Sequence, residues 1–148
     1  MNFNVVAHCD WREVIIPNLS TVGLWPFDGD LQSLSRRYSS VLAETYPGDV
    51  YRQLGIPRRG WSKRRQEDRQ QIGGFISDWL AARPNLNASE VLPHVSDGVG
   101  SDSAGEDRFD AFVGLLGMLS VVTGERPERS QVPEEVLAHE GWILGHHR

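Results

Sequence analysis

The fold of this 148-residue chain is decided by one stretch, Gly105-Glu106-Asp107-Arg108-Phe109-Asp110-Ala111-Phe112-Val113-Gly114-Leu115-Leu116-Gly117-Met118-Leu119. Two aspartates stand three residues apart at its head, and an apolar run continues from Phe112 to Val122. Such a run is apolar nearly all round, which predicts a helix that is buried against other elements. On a helix, residues i and i+3 lie on one face with their Cβ atoms about 5–6 Å apart, so Asp107 and Asp110 are expected to project side by side.

Two carboxylates that enter a core need compensation, because like charges repel and burial of a charge is costly. A divalent cation is one compensation, since carboxylate oxygens are preferred ligands of Mg²⁺. The alternative is that Glu106, Asp107 and Asp110 complement the helix dipole without a metal. If a metal is bound, replacing both aspartates by asparagine is expected to raise the stability of the metal-free protein and to abolish metal binding.

A third carboxylate, Glu44, interrupts an apolar segment in the first half of the chain. The segment Val41–Pro47 predicts a short buried strand that ends at the Pro47-Gly48 turn. A buried glutamate requires an arginine or a metal opposite it, whereas a glutamate at the end of a strand can face solvent. Together, Glu44, Asp107 and Asp110 predict a catalytic site that holds one or two Mg²⁺ or Mn²⁺ ions for phosphodiester hydrolysis.

The chain resembles the RNase H-like superfamily, and in particular the uncharacterised RNase H-like proteins grouped as domain of unknown function 429. The pattern Asp107-x-x-Asp110-Ala111 is similar to the C-terminal helix of RuvC-type junction resolvases. Six blocks carry the resemblance in family order: Trp11–Pro17, Gly23–Gly29, Ala43–Pro47, Lys63–Arg69, Gly105–Ala111 and Glu140–Gly145. The resemblance implies one RNase H-like α/β domain over residues 1–148 and a metal-dependent nuclease activity, with Glu44, Asp107 and Asp110 as metal ligands.

The resemblance covers only the C-terminal part of such a domain, because its blocks start at Trp11. The family's N-terminal hairpin strands and the aspartate of its first strand have no counterpart, although Asp10 could imitate that aspartate. A short, mostly parallel sheet packed by helices is therefore expected. The resemblance implies a nuclease-type domain, active or inactive as this chain, and the alternative is a non-catalytic remnant or subunit that acts as a protein-interaction module. Its partner would then be a second copy or a chain that supplies the missing strands.

Charge is concentrated in one segment, Arg52–Arg69, which carries +5 in a chain whose net charge is −5. We call it the basic segment. Lys63, Arg64 and Arg69 are predicted to bind substrate phosphates, and Tyr51 and Trp61 are candidate stacking groups for nucleic acid. The alternative is an exposed helix start with ion pairs between neighbouring turns.

Composition limits the remaining function classes. The single cysteine, Cys9, cannot form an internal disulfide, and the five histidines lack the spacing of a zinc site. The longest apolar run is too short to cross a membrane and no signal peptide pattern is present, so a cytoplasmic protein without a membrane partner is expected.

Turn and cap residues predict the order of the remaining elements. Val22–Trp25 is expected to form a strand, Asp30 to cap a short helix, and the Glu44 strand to follow in a parallel βαβ unit. Ser62 is the expected N-cap of a long helix that ends near Ala82, and Gly124 is the expected end of the aspartate helix. Gly114 and Gly117 are expected to let that helix approach a sheet closely.

Overall fold

A computed structural model of the chain describes residues 11–146, so Cys9 and Asp10 lie outside the described residues. The chain divides into two compact units by its contacts. The first unit is the described part of Met1–Glu44 together with Pro127–Arg148, and the second unit is Thr45–Arg126. The prediction of one RNase H-like domain stays a prediction.

The first unit contains a small parallel βαβ motif. A π-helical turn (Trp11–Ile15) continues into the short helix α1 (Ile16–Asn18), and strand β1 follows (Val22–Leu24). Helix α2 (Leu31–Arg37) then leads to strand β2 (Ser40–Leu42), which pairs in parallel with β1. Helix α7 (Glu134–Glu140) lies near the end of the chain.

The start of α2 has the cap that its sequence predicts. Asp30 keeps an extended backbone, and its Oδ1 accepts a hydrogen bond from the Ser33 amide at 2.9 Å. A carboxylate in this place satisfies an amide that has no partner within the helix. Capping also holds the pKa of Asp30 below its usual range, mainly through the Ser33 amide.

The second unit is helical. Its helices are α3 (Pro47–Gln53), α4 (Gln66–Ala81), α5 (Leu92–Ser96) and α6 (Gly105–Val122). Helix α3 packs on α6, and α5 packs on α4. The buried core contains Val50, Leu54, Ile56, Ile72, Ile76, Leu80, Val95, Phe109, Val113 and Leu116.

Helix α6 is the aspartate helix, and it presents one buried face and one open face. Phe109, Val113 and Leu116 repeat at helical spacing and are at most 1% exposed. Leu115 is 48% exposed and Val122 is 73% exposed, so the helix is buried against other elements along one face although its apolar residues extend nearly all round.

Two glycines of α6 allow α3 and the segment before it to approach. A Cβ at Gly117 would lie 2.5 Å from Cγ2 of Val50, and one at Gly114 would lie 3.0 Å from Cγ2 of Thr45. The expected close approach is therefore present, but the neighbour is a helix and its leading segment and not the predicted sheet.

The predicted boundaries differ from the observed ones at two functional segments. Strand β2 ends at Leu42, and Glu44 forms an isolated parallel bridge with Ile143. Helix α4 begins at Gln66, four residues after the predicted cap Ser62, and has no side-chain cap at Arg65. The Ser62 amide instead donates to Oδ2 of Asp68 at 2.6 Å, which keeps residues 62–65 in a turn.

At the level of fold class the α/β prediction is confirmed. Residues 11–146 contain seven α-helices and a two-stranded parallel sheet. Within the same residues, no helix is long and apolar enough to cross a membrane.

Candidate functional site

The head of α6 meets the turn that precedes α4, and here one predicted catalytic residue, Asp110, lies near two predicted substrate-binding residues, Lys63 and Arg64. The ammonium group of Lys63 donates to Oδ2 of Asp110 and lies 3.2 Å from Oε1 of Glu106. Nε of Arg64 lies 3.5 Å from Oε2 of Glu106. Glu106 and Asp110 are one turn apart, so a single lysine can contact both carboxylates.

The other carboxylate oxygen of Asp110 accepts a hydrogen bond from the hydroxyl of Tyr51 on α3. Burial raises the pKa of Tyr51 well above its usual range, and the hydrogen bond to Asp110 raises it further. The hydrogen bond to Asp110 likewise raises the pKa of Lys63. Both donors are therefore protonated at neutral pH, and both oxygens of Asp110 are engaged.

An aromatic cluster lies behind this ionic contact. Phe109 is fully buried, and its ring centroid lies 6.2 Å from that of Tyr51 and 6.4 Å from that of Trp61. The rings of Tyr51 and Trp61 meet edge to face, with their centroids 5.0 Å apart. Nε1 of Trp61 donates to the carbonyl of Pro57 at 2.6 Å. These contacts fix the positions of both outer rings, since buried side chains that interdigitate cannot change rotamer freely.

The outer rings of this cluster line an open groove of about 500 Å³. Three aromatic side chains (Tyr46, Tyr51, Trp61), the apolar Ile56 and Pro57, and Gly48, Asp49, Arg52 and Arg58 surround it. We call this the aromatic groove. Arg52 is paired with Asp49 at 2.5 Å, whereas Arg58 belongs to no ion pair within residues 11–146. The groove therefore combines ring surfaces with an unpaired positive charge.

Arg69, a predicted phosphate ligand, occupies a different kind of position. It is only 2% exposed, and its guanidinium donates to the carbonyls of Gly98, Lys63 and Gly100 at 2.7, 2.5 and 2.6 Å. The guanidinium thus joins the turn before α4 to the loop before α6. This is a structural arrangement and not the solvent-facing one that binding of a substrate phosphate requires.

Of the residues predicted to bind a metal, Asp107 and Asp110 lie in the second unit and Glu44 lies in the first. Asp107 is exposed, and both Asp110 and Glu106 are already compensated by Lys63 and Arg64. Glu44 belongs to the first unit, where it is exposed and pairs through its main chain with Ile143. Of the two alternatives for Glu44, the structure has the solvent-facing one, because the strand ends at Leu42, two residues before it. Within residues 11–146, no group of three His, Cys, Asp or Glu side chains could hold a metal ion.

The two aspartates of α6 are expected to respond differently to replacement by asparagine. Asp110→Asn replaces the carboxylate that accepts hydrogen bonds from Lys63 and Tyr51 by a neutral amide. It should lower the free energy of unfolding by about 1–2 kcal/mol. Asp107→Asn is the matched control, three residues away on the same helix and exposed, and should cost less than about 1 kcal/mol. Urea denaturation measures both values.

The sequence alone predicted that replacing both aspartates by asparagine would stabilise the metal-free protein. For Asp110, the observed contacts lead to the opposite expectation. A gain in stability for Asp110→Asn would show that the carboxylate is uncompensated and that the contact with Lys63 does not form in solution.

Three contributors to the site were not assigned a place in it by sequence reasoning. Glu106 was considered only as a partner of the helix dipole, although its spacing of four residues from Asp110 places both on one face. Phe109 is part of the apolar pattern and gives no separate signal. Tyr46 precedes Pro47 and has the extended backbone expected of that position, but nothing local shows that its ring borders a groove.

Comparisons of the chain with protein-family models, with curated proteins and with solved structures found no match. No relative therefore transfers an activity to these residues. The resemblance to RNase H-like proteins stays a prediction, and the geometry of the second unit is the basis for a functional proposal.

Proposed function

We propose that this chain binds nucleic acid through the basic segment of its second unit. The observation that supports this proposal is the exposure of the arginines beside the aromatic groove. Arg58 and Arg59 are exposed and belong to no ion pair within residues 11–146, and the side chain of Arg64 is 81% exposed. Exposed arginines that no carboxylate neutralises, as Arg58 and Arg59 are, attract phosphates, and the acidic remainder of the chain limits binding elsewhere.

The experiment compares two pairs of adjacent, exposed arginines. Arg58→Ala with Arg59→Ala removes charge beside the groove, and Arg36→Ala with Arg37→Ala removes the same charge from the end of α2. Binding of a fluorescent oligonucleotide is measured by anisotropy at several salt concentrations. The slope of log K against log salt is negative, and its magnitude should decrease by about 1.4 for the first pair. Each phosphate contact with a single strand contributes about 0.7 to that magnitude. For the second pair, the slope should not change.

Equal changes for the two pairs would contradict the proposal, because the binding would then report net charge and not a site. An unchanged slope for the Arg58 and Arg59 variant would also contradict it.

Metal-dependent hydrolysis of the bound strand is a second proposal. Its support is that Lys63 and Arg64 contact Glu106 and Asp110. Side chains that could bind a phosphate therefore lie beside carboxylates. The described donors do not form a metal site, so we derive no hydrolytic step through Mg²⁺ or Mn²⁺. Calorimetric titration with Mn²⁺, beside Glu44→Gln and Asp110→Asn, tests it: saturable binding that either variant loses would support a metal-dependent nuclease.

A partial RNase H-like fold belongs to this second proposal, since only the coarser α/β class is observed. The non-catalytic alternative, a protein-interaction module that pairs with a second copy or a partner chain, stays a prediction. The same holds for the expected cytoplasmic location.

A further inference from the structure

The aromatic groove has three features that together select a class of ligand. Tyr46 is 54% exposed, so one of its ring faces is open to a ligand. Its ring lies close over Gly48, where a Cβ would be 2.8 Å from Cζ of the ring. Tyr51 and Trp61 line the same groove, where both contact Phe109 and Trp61 donates to the carbonyl of Pro57. The groove therefore offers ring surfaces that need little reorganisation on binding.

A nucleobase matches this surface, because every base has a flat π-face that stacks on an aromatic side chain whatever its sequence. Arg58, which lines the same groove and is unpaired within the described chain, can hold a phosphate close to that base. In a duplex the bases are already stacked inside the helix and cannot reach such a groove without being extruded. A single strand presents unstacked bases and phosphates together.

Proline-rich peptides also bind grooves lined by aromatic residues. The charge favours the nucleic acid, because Arg58 lines the groove, its neighbour Arg59 is also exposed, and neither belongs to an ion pair within residues 11–146. A peptide of neutral prolines would gain nothing from that charge.

We propose that the aromatic groove binds an unstacked base of a single-stranded nucleic acid, with a neighbouring phosphate on Arg58. This inference rests on the proposed binding of nucleic acid and adds to it a preference for single strands over duplexes. Tyr46 is then a specificity-determining residue, whereas Arg59 and Arg64 contribute affinity for either form.

The test replaces Tyr46, whose exposure allows substitution without disturbing the core. Tyr46→Ala should weaken binding of a thymidine oligonucleotide about tenfold and leave binding of a duplex of equal length unchanged. Tyr46→Phe should retain wild-type binding, because it keeps the ring. Phe27→Ala is the matched control, since Phe27 is 55% exposed and lies in the first unit. Circular dichroism confirms that each variant is folded.

Several outcomes would overturn the inference. If the wild type binds single strand and duplex equally and Tyr46→Ala has no effect, the groove is not the binding site for a base. The proposed function would still stand if the Arg58 and Arg59 variant lowered the salt dependence of binding. Equal affinity for thymidine monophosphate and the oligonucleotide would identify a nucleotide site in place of a strand site. Binding of a polyproline peptide that depends on Tyr46, without binding of nucleic acid, would overturn both proposals.

Discussion

Replacement of Arg69 by methionine is expected to lower the free energy of unfolding by about 3 kcal/mol or more. The variant leaves the carbonyls of Gly98, Lys63 and Gly100 without their donor, and each buried or partly buried acceptor left unsatisfied costs about 1–3 kcal/mol. Arg69 pairs with no carboxylate within residues 11–146, so its value comes from these hydrogen bonds and from packing. Urea denaturation at neutral pH measures the loss.

Two further variants separate geometry from charge. Arg69→Lys keeps the charge but presents an ammonium in place of a planar fork, and is expected to recover only part of the stability. Arg59→Met is the control, because it replaces an exposed arginine by the same residue. It should change the free energy of unfolding by no more than about 0.5 kcal/mol. If Arg69→Met were as stable as the wild type, the guanidinium would not join the turn before α4 to the loop before α6 in solution.

The arginine also has a consequence for the candidate site. Its Nη1 holds the carbonyl of Lys63, and a Cβ at Gly105, the first residue of α6, would lie 2.5 Å from its Nη2. Arg69 therefore fixes both the main chain that carries Lys63 and the end of the helix that carries Asp110.

The same substitution at two helical glycines is expected to change stability in opposite directions. Gly74→Ala in α4 has no atom within 4 Å of the new Cβ and should raise the free energy of unfolding by about 0.5–1 kcal/mol, through helix propensity alone. Gly117→Ala in α6 gains the same propensity but places its Cβ 2.5 Å from the buried Val50. Val50 is stiff at χ1 and cannot move aside easily. The overpacking cost is about 1–3 kcal/mol, so this variant should be destabilised.

The difference between the two alanine variants isolates the packing of α3 on α6, because the helix propensity term cancels. Thermal denaturation of both proteins at one pH gives this difference. If Gly117→Ala were as stable as Gly74→Ala, the two helices would not be in the close contact that the structure shows.

Local chemistry determined several elements of this protein. The Asp30 cap, the parallel βαβ unit, and the extent of α6 up to Gly124 follow from residues that act on neighbours within a few positions. Capping, helical periodicity and turn residues involve short stretches of chain, so the sequence alone is enough to predict them. The charge of the basic segment is equally a property of the sequence.

Tertiary structure decided how the charges are used. The sequence shows carboxylates that need compensation but not the compensating group, and the structure supplies Lys63 and Tyr51 from separate segments where a metal was predicted. It likewise buries Arg69, which the sequence placed among substrate-binding residues, and decides between the two alternatives for Glu44 by exposing it. The physical reason is that burial and ion pairing depend on which distant residues arrive at a position, and a carboxylate has the same local pattern whether a lysine or a metal ion meets it.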